Sequence, residues 1–138
     1  MWLAKRHWNV TVVDISAIAI AKLAENAHHE RLTLNLIALD LKDYVFRPAQ
    51  FDLVVIYYHF DRDLVPKILS TLRPGGLVLC KSSVMFAPYH GAAPQNLKPL
   101  AGKEIISLLP TLRVLHHQER PVRDRGVVEY IGQKLVSA

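Results

Sequence analysis

Apolar residues fall along this chain in short runs with polar punctuation, and the runs alternate between two patterns. Val10–Asp14 is β-branched and apolar on consecutive positions, which predicts a strand buried on both faces. Ala17–Ala27 is rich in alanine, with Ile18, Ile20 and Leu23, and reads as a helix capped by Ser16. Leu34–Leu39 predicts a second buried strand and Phe51–Ile56 a third. Leu64, Ile68, Leu69 and Leu72 share one face of a helix, with Pro66 in its first turn, where a missing N–H is tolerated. Arg73–Gly76 reads as a tight turn into a strand over Leu77–Lys81. A long loop over Ser82–Pro99 and a short helix over Lys103–Leu109 follow. Leu112–His117 and Val127–Gln133 form an antiparallel hairpin about a polar turn containing Gly126. Residues 2–7 read as the last turns of a helix, with Lys5 and Arg6 suited to its negative C-terminal end.

This alternation of strand and helix predicts an α/β fold: a mainly parallel sheet, helices on both faces and an antiparallel pair at the C-terminal edge. The chain of 138 residues, half of them apolar, suits one domain with a real core. No apolar stretch approaches the ~18–20 residues that span a bilayer, and no apolar segment of signal-peptide type follows Lys5 and Arg6. The single cysteine, Cys80, excludes an internal disulfide and suits a small buried hydrophobe in a reducing, cytoplasmic setting. A net charge of +5 permits a nucleic-acid partner without requiring one. The one basic cluster, Arg120, Arg123 and Arg125, is interrupted by Asp124 and reads as a solvated hairpin tip.

The candidate chemistry lies at strand ends. In open α/β sheets, ligands bind outside the carboxyl ends of the strands. Asp14 and Asp40 terminate two runs separated by one helix, hence two neighbouring strands. A carboxylate there can accept hydrogen bonds from both hydroxyls of a ribose, so Asp14 is placed to hold a nucleoside. The blander role for Asp14, a carboxylate at a helix start, competes with Ser16, which already caps that helix.

With these strand-end aspartates and a Pro-Gly-Gly turn before a later strand, the chain resembles the class I S-adenosylmethionine-dependent methyltransferases. The resemblance is to their tellurite-resistance-type, small-molecule branch. It is carried by WLAKRHWNVTVVDIS, ALDL, FDLVVIYYHFDRDLVPKILSTLRPGGLVL and LLPTLRVLHHQE. It implies a Rossmann-like domain over residues 1–138 with S-adenosyl-L-methionine as cofactor and a small-molecule methyl acceptor. Asp14 would then bind the ribose and Ile15 would pack on the adenine. Asp40 would meet the adenine amino group and the Leu41 backbone a ring nitrogen. Tyr57 and Tyr58 would lie beside the methionine moiety and the substrate. His59 follows them and could act as a substrate-site base, with a surface-loop role as its rival. The loop over Ser82–Pro99 is the lid candidate, and Met85, Phe86 and Tyr89 could line the site or simply anchor the loop.

The glycine-rich turn of such folds precedes the acidic residue by about 20 positions. Asp14 stands too early for that, and no GxGxG is present. The domain therefore reads as N-terminally truncated, without its first strand, with a naturally short, non-catalytic interaction module as the alternative. The exposed flank of the strand ending at Asp14 would favour self-association.

An NAD(P)-dependent oxidoreductase fragment is a further alternative, since Asp14 could hold that ribose too. Its YxxxK spacing, Tyr130 and Lys134, requires a helix, whereas a strand separates the two by roughly 13 Å. GxSxG, HExxH and the DPPY-type motif of nucleic-acid amino-methylating enzymes are all missing. A metal site and a nucleic-acid substrate are accordingly disfavoured.

Overall fold

A computed structural model describes residues 1–85, 91–123 and 125–136. The chain forms two compact units, Met1–Val45 and Phe46–Ala138.

In the first unit, β1 (Thr11–Asp14), α1 (Ala17–His29) and β2 (Asn35–Ala38) make one β-α-β crossover. The strands pair in parallel, from Thr11 opposite Asn35 to Asp14 opposite Ala38. The Ser16 hydroxyl accepts from the Ala19 amide at 3.2 Å and so caps α1 as expected. Two expectations fail. Residues 2–7 hold only one 3-10 turn, Ala4–Arg6, ended by His7 in the left-handed region. Neither β1 nor β2 has a fully buried residue. Among the described residues these two strands pair with each other alone, and a two-stranded sheet is too small to bury both its faces by itself.

The second unit carries the core. Its elements are β3 (Phe51–Tyr57), α2 (Val65–Thr71), β4 (Leu72–Val84), α3 (Glu104–Leu108), β5 (Leu112–Val122) and β6 (Arg125–Lys134). The sheet order is β3-β4-β6-β5, parallel between β3 and β4 and antiparallel thereafter. Parallel crossovers followed by an antiparallel C-terminal hairpin are the Rossmann-like arrangement that the sequence pattern predicts.

Alternation along β4 explains its burial. Val78, Cys80, Ser82 and Val84 point into the core, while Leu77, Leu79, Lys81 and Ser83 lie half-exposed on the other face. Leu72, Leu100, Ile105, Leu109, Val128 and Tyr130 join the inward set. Each such apolar side chain contributes on the order of 1.5–3 kcal/mol by leaving water.

Two turns differ from expectation. Arg73–Gly76 does not precede β4 but bulges within it: β4 advances from Leu72 to Leu77 while β3 advances only from Phe51 to Leu53. Gly75 takes φ 80 there, which only glycine adopts without strain. The hairpin turn lies past Val122, with Arg123 left-handed, and Gly126 pairs with Pro121 inside the ladder. Pro121 is tolerated because β5 is an edge strand.

Candidate functional site

The chemistry of the first unit centres on two equivalent turns. Asp14 is the last residue of β1, and its Oδ1 accepts from the Ser16 amide at 2.8 Å. Asp40 follows β2 by two residues, and its Oδ1 accepts from the Lys42 amide at 2.9 Å. Each aspartate thus folds back on the amide two residues ahead, a local preference of Asp that holds the carboxylate at the strand end. The turns are linked by backbone: the Leu39 amide donates to the Asp14 carbonyl at 3.0 Å. Asp14 does help to start α1, together with Ser16. The bond uses one carboxylate oxygen, and the group stays exposed. Ile15 is 72 % exposed. Leu41 is half-buried beside Asp40.

The second unit holds the aromatic turn. Tyr57 ends β3, and Tyr58 follows with φ 57, a left-handed conformation unusual for a bulky residue. Its amide donates to the Lys81 carbonyl at 2.7 Å, which pins the turn to β4. The two rings meet edge to face with centroids 5.0 Å apart. Both tyrosines and His59 are exposed, whereas Phe60 is buried and anchors the turn. Phe86 and Tyr89 fall outside the described residues; Met85 bonds through its amide to the Leu100 carbonyl.

Several groups escaped the sequence analysis. Lys81 and Glu129 face each other across β4 and β6, and Lys81 Nζ donates to Glu129 Oε1 at 2.8 Å. Arg120 donates to the same oxygen at 3.0 Å, so this residue of the expected solvated tip is an ion-pair partner. The hydrogen bond from Lys81, and then that from Arg120, lower the Glu129 carboxyl below its ordinary value. Tyr57 lies in the same row, opposite Lys81. Arg62 forms a second cluster with Glu104, where Nε donates to Oε1 at 2.6 Å and a terminal nitrogen to Oε2 at 2.8 Å. Lys81 and Glu129 are 48 residues apart and Arg62 and Glu104 are 42 apart, so no local spacing could have revealed these pairs.

Burial pushes the Cys80 thiol up to about 12, as suits an inert core residue. Tyr130 and Lys134 lie on a strand, β6, with Lys134 Nζ donating to the Leu69 and Leu72 carbonyls. They do not form a dehydrogenase pair. Among the described residues no cluster of three metal-ligating side chains occurs, and no helix is long and apolar enough to cross a membrane.

A family model described as a methyltransferase domain matches residues 1–76. No curated protein matches the chain. Among solved structures, the chain resembles the [4+2]-cyclase SpnF with a TM-score of 0.81 at 14% identity, covering 99% of this chain and 70% of that one. TehB from Haemophilus influenzae aligns with a TM-score of 0.79 at 17% identity, over 96% of this chain and 52% of that one. The 1,6-didemethyltoxoflavin-N1-methyltransferase of Burkholderia thailandensis, with S-adenosylhomocysteine bound, gives 0.76 at 16% identity over 97% and 64%. The chain therefore spans about half of TehB and about two thirds of the Burkholderia enzyme. At these identities the likeness establishes the fold.

Proposed function

Because the chain belongs to the methyltransferase-domain family, we propose that it binds S-adenosyl-L-methionine and serves methyl transfer to a small-molecule acceptor. The observation that carries this reading is the pair of strand-end aspartates, Asp14 and Asp40, on adjacent parallel strands and each held by its own turn. That pair of acceptors fits the cofactor. A nucleoside offers hydroxyl and amino donors, and ionised carboxylates at fixed strand ends accept them.

In this reading Asp14 holds the ribose, Asp40 and the Leu41 backbone hold the adenine edge, and Ile15 covers the ring. Tyr57 and Tyr58 border the methionine moiety and the acceptor, with His59 beside them as the candidate substrate-site base. When bound, the cofactor supplies an activated methyl group on a positively charged sulfur. The chain's own part is to bind, to orient the acceptor and to keep water out, which is where proximity yields rate. A small acceptor is supported by the sequence, which lacks a DPPY-type motif. The Burkholderia methyltransferase of similar fold, whose structure holds 1,6-didemethyltoxoflavin beside S-adenosylhomocysteine, supports the same reading.

Calorimetric titration of S-adenosylhomocysteine tests the proposal. Saturable binding that weakens at least tenfold in Asp14→Ala supports it. Failure of the folded chain to bind would leave a non-catalytic module.

A further inference from the structure

Residues 91–103 have little regular structure of their own. Pro94 and Pro99 contribute no N–H groups, and a single 3-10 turn, Gln95–Leu97, is the sole element between them. Leu100 is 1% exposed and tied to β4 by two backbone bonds, to the Ser83 carbonyl at 3.0 Å and from the Met85 amide at 2.7 Å. The carbonyls just before it have no strand to pair with, and they turn instead to one side chain.

That side chain is Arg62. One terminal nitrogen donates to the carbonyls of Gln95 (3.2 Å), Asn96 (3.3 Å) and Lys98 (2.9 Å). The other donates to the Pro99 carbonyl at 3.3 Å and to Glu104 Oε2 at 2.8 Å. Nε completes a two-pronged contact with Glu104 Oε1 at 2.6 Å. All three guanidinium nitrogens are therefore spent on a single segment, residues 95–104. Asp61, only 5% exposed, adds a grip of its own by accepting from Asn96 Nδ2 at 3.1 Å. Glu104 in turn accepts from the Ala101 amide at 2.6 Å. The chain reaches Asp61 and Arg62 directly from Tyr58, His59 and the buried Phe60.

We propose that Arg62 is a positioning residue: its guanidinium sets the course of residues 95–104 beside the turn that carries Tyr58 and His59, and so shapes the acceptor's side of the site. The clause about the acceptor rests on the methyl-transfer reading; the clasp itself does not. The fork geometry is what matters. An ammonium is a point charge with one nitrogen and cannot serve four carbonyls and both oxygens of a carboxylate. Lysine should therefore keep the charge and lose the function. The Glu104 contact alone does not explain the arrangement, because four of the six bonds go to backbone.

Hydrogen exchange on the full chain, alongside titration of S-adenosylhomocysteine, tests this. In Arg62→Lys, amides within residues 95–104 should exchange about tenfold or more faster, as expected for lost charged hydrogen bonds. Amides of β4 and β6 should keep their wild-type protection, and affinity for S-adenosylhomocysteine should stay within about twofold. Glu104→Gln keeps the carbonyl contacts and should show a smaller acceleration confined to the same segment. Wild-type protection of residues 95–104 in Arg62→Lys would overturn the proposal. So would an acceleration spread evenly over β4 and β6 in either variant, which would make Arg62 a general stabiliser. If the wild-type chain does not bind S-adenosylhomocysteine, the methyl-transfer reading and the acceptor clause fail, and the exchange data decide the clasp alone.

Discussion

The ring of Tyr130 lies across the bare α-carbon of Gly132, its neighbour on the same face of β6. A Cβ at Gly132 would come within 2.5 Å of the phenol oxygen and 2.7 Å of the ring. Tyr130 is 1% exposed and packs among the core residues, so its ring has nowhere to retreat. Gly132→Ala is expected to destabilise the protein by about 1–3 kcal/mol, the usual range for overpacking. Chemical denaturation reads this directly, and an unchanged midpoint would refute it.

The same ring leads to a change of opposite sign. The Tyr130 hydroxyl is buried and has no hydrogen-bond partner among the described residues. Burial, with the nearby Cys80 thiol adding to it, pushes its pKa up. Removing an unsatisfied buried hydroxyl recovers its desolvation penalty, so Tyr130→Phe should raise stability by about 1 kcal/mol. A loss of stability would reveal a water or polar partner at that oxygen.

Tyr58 holds a left-handed backbone that asparagine tolerates and valine resists. Both replacements lose the edge-to-face contact with Tyr57, so their difference isolates the backbone. Tyr58→Asn should be more stable than Tyr58→Val by about 1–2 kcal/mol. Equal stabilities would mean that the turn relaxes out of the left-handed region.

Acid should loosen the Arg62 clasp. The side-chain bond from Arg62 is the main cause that lowers the Glu104 carboxyl below its ordinary value, against a smaller opposing effect of burial. A carboxylate depressed on folding contributes stability that is fully present above its unfolded value, about 4.3. That stability is lost as pH falls through the lower, folded value. Wild type should therefore lose stability below about pH 4.3 more steeply than Glu104→Gln, and exceed it by about 1–2 kcal/mol at neutral pH. Parallel pH profiles for the two proteins would show that Glu104 does not titrate against Arg62.

Local pattern was enough for the order of the elements and for the strand-end aspartates. β-Branched runs, an alanine-rich helix behind Ser16 and the periodic apolar face of α2 each depend on neighbours within a few residues. Asp14 and Asp40 were legible for the same reason, because the turn each makes involves only the amide two residues ahead. What local pattern could not decide was burial and register. The runs at β1 and β2 look like buried strands, yet burial depends on what packs over them, and among the described residues they pair with each other alone. Glu129 meets Lys81 and Arg120 only because antiparallel pairing aligns them across β4, β6 and β5. Arg62 finds its carbonyls some 33 to 37 residues away, and Glu104 at 42. Such contacts carry no periodic signature along the chain. They exist only after the sheet has formed and the segment before Leu100 has docked against it.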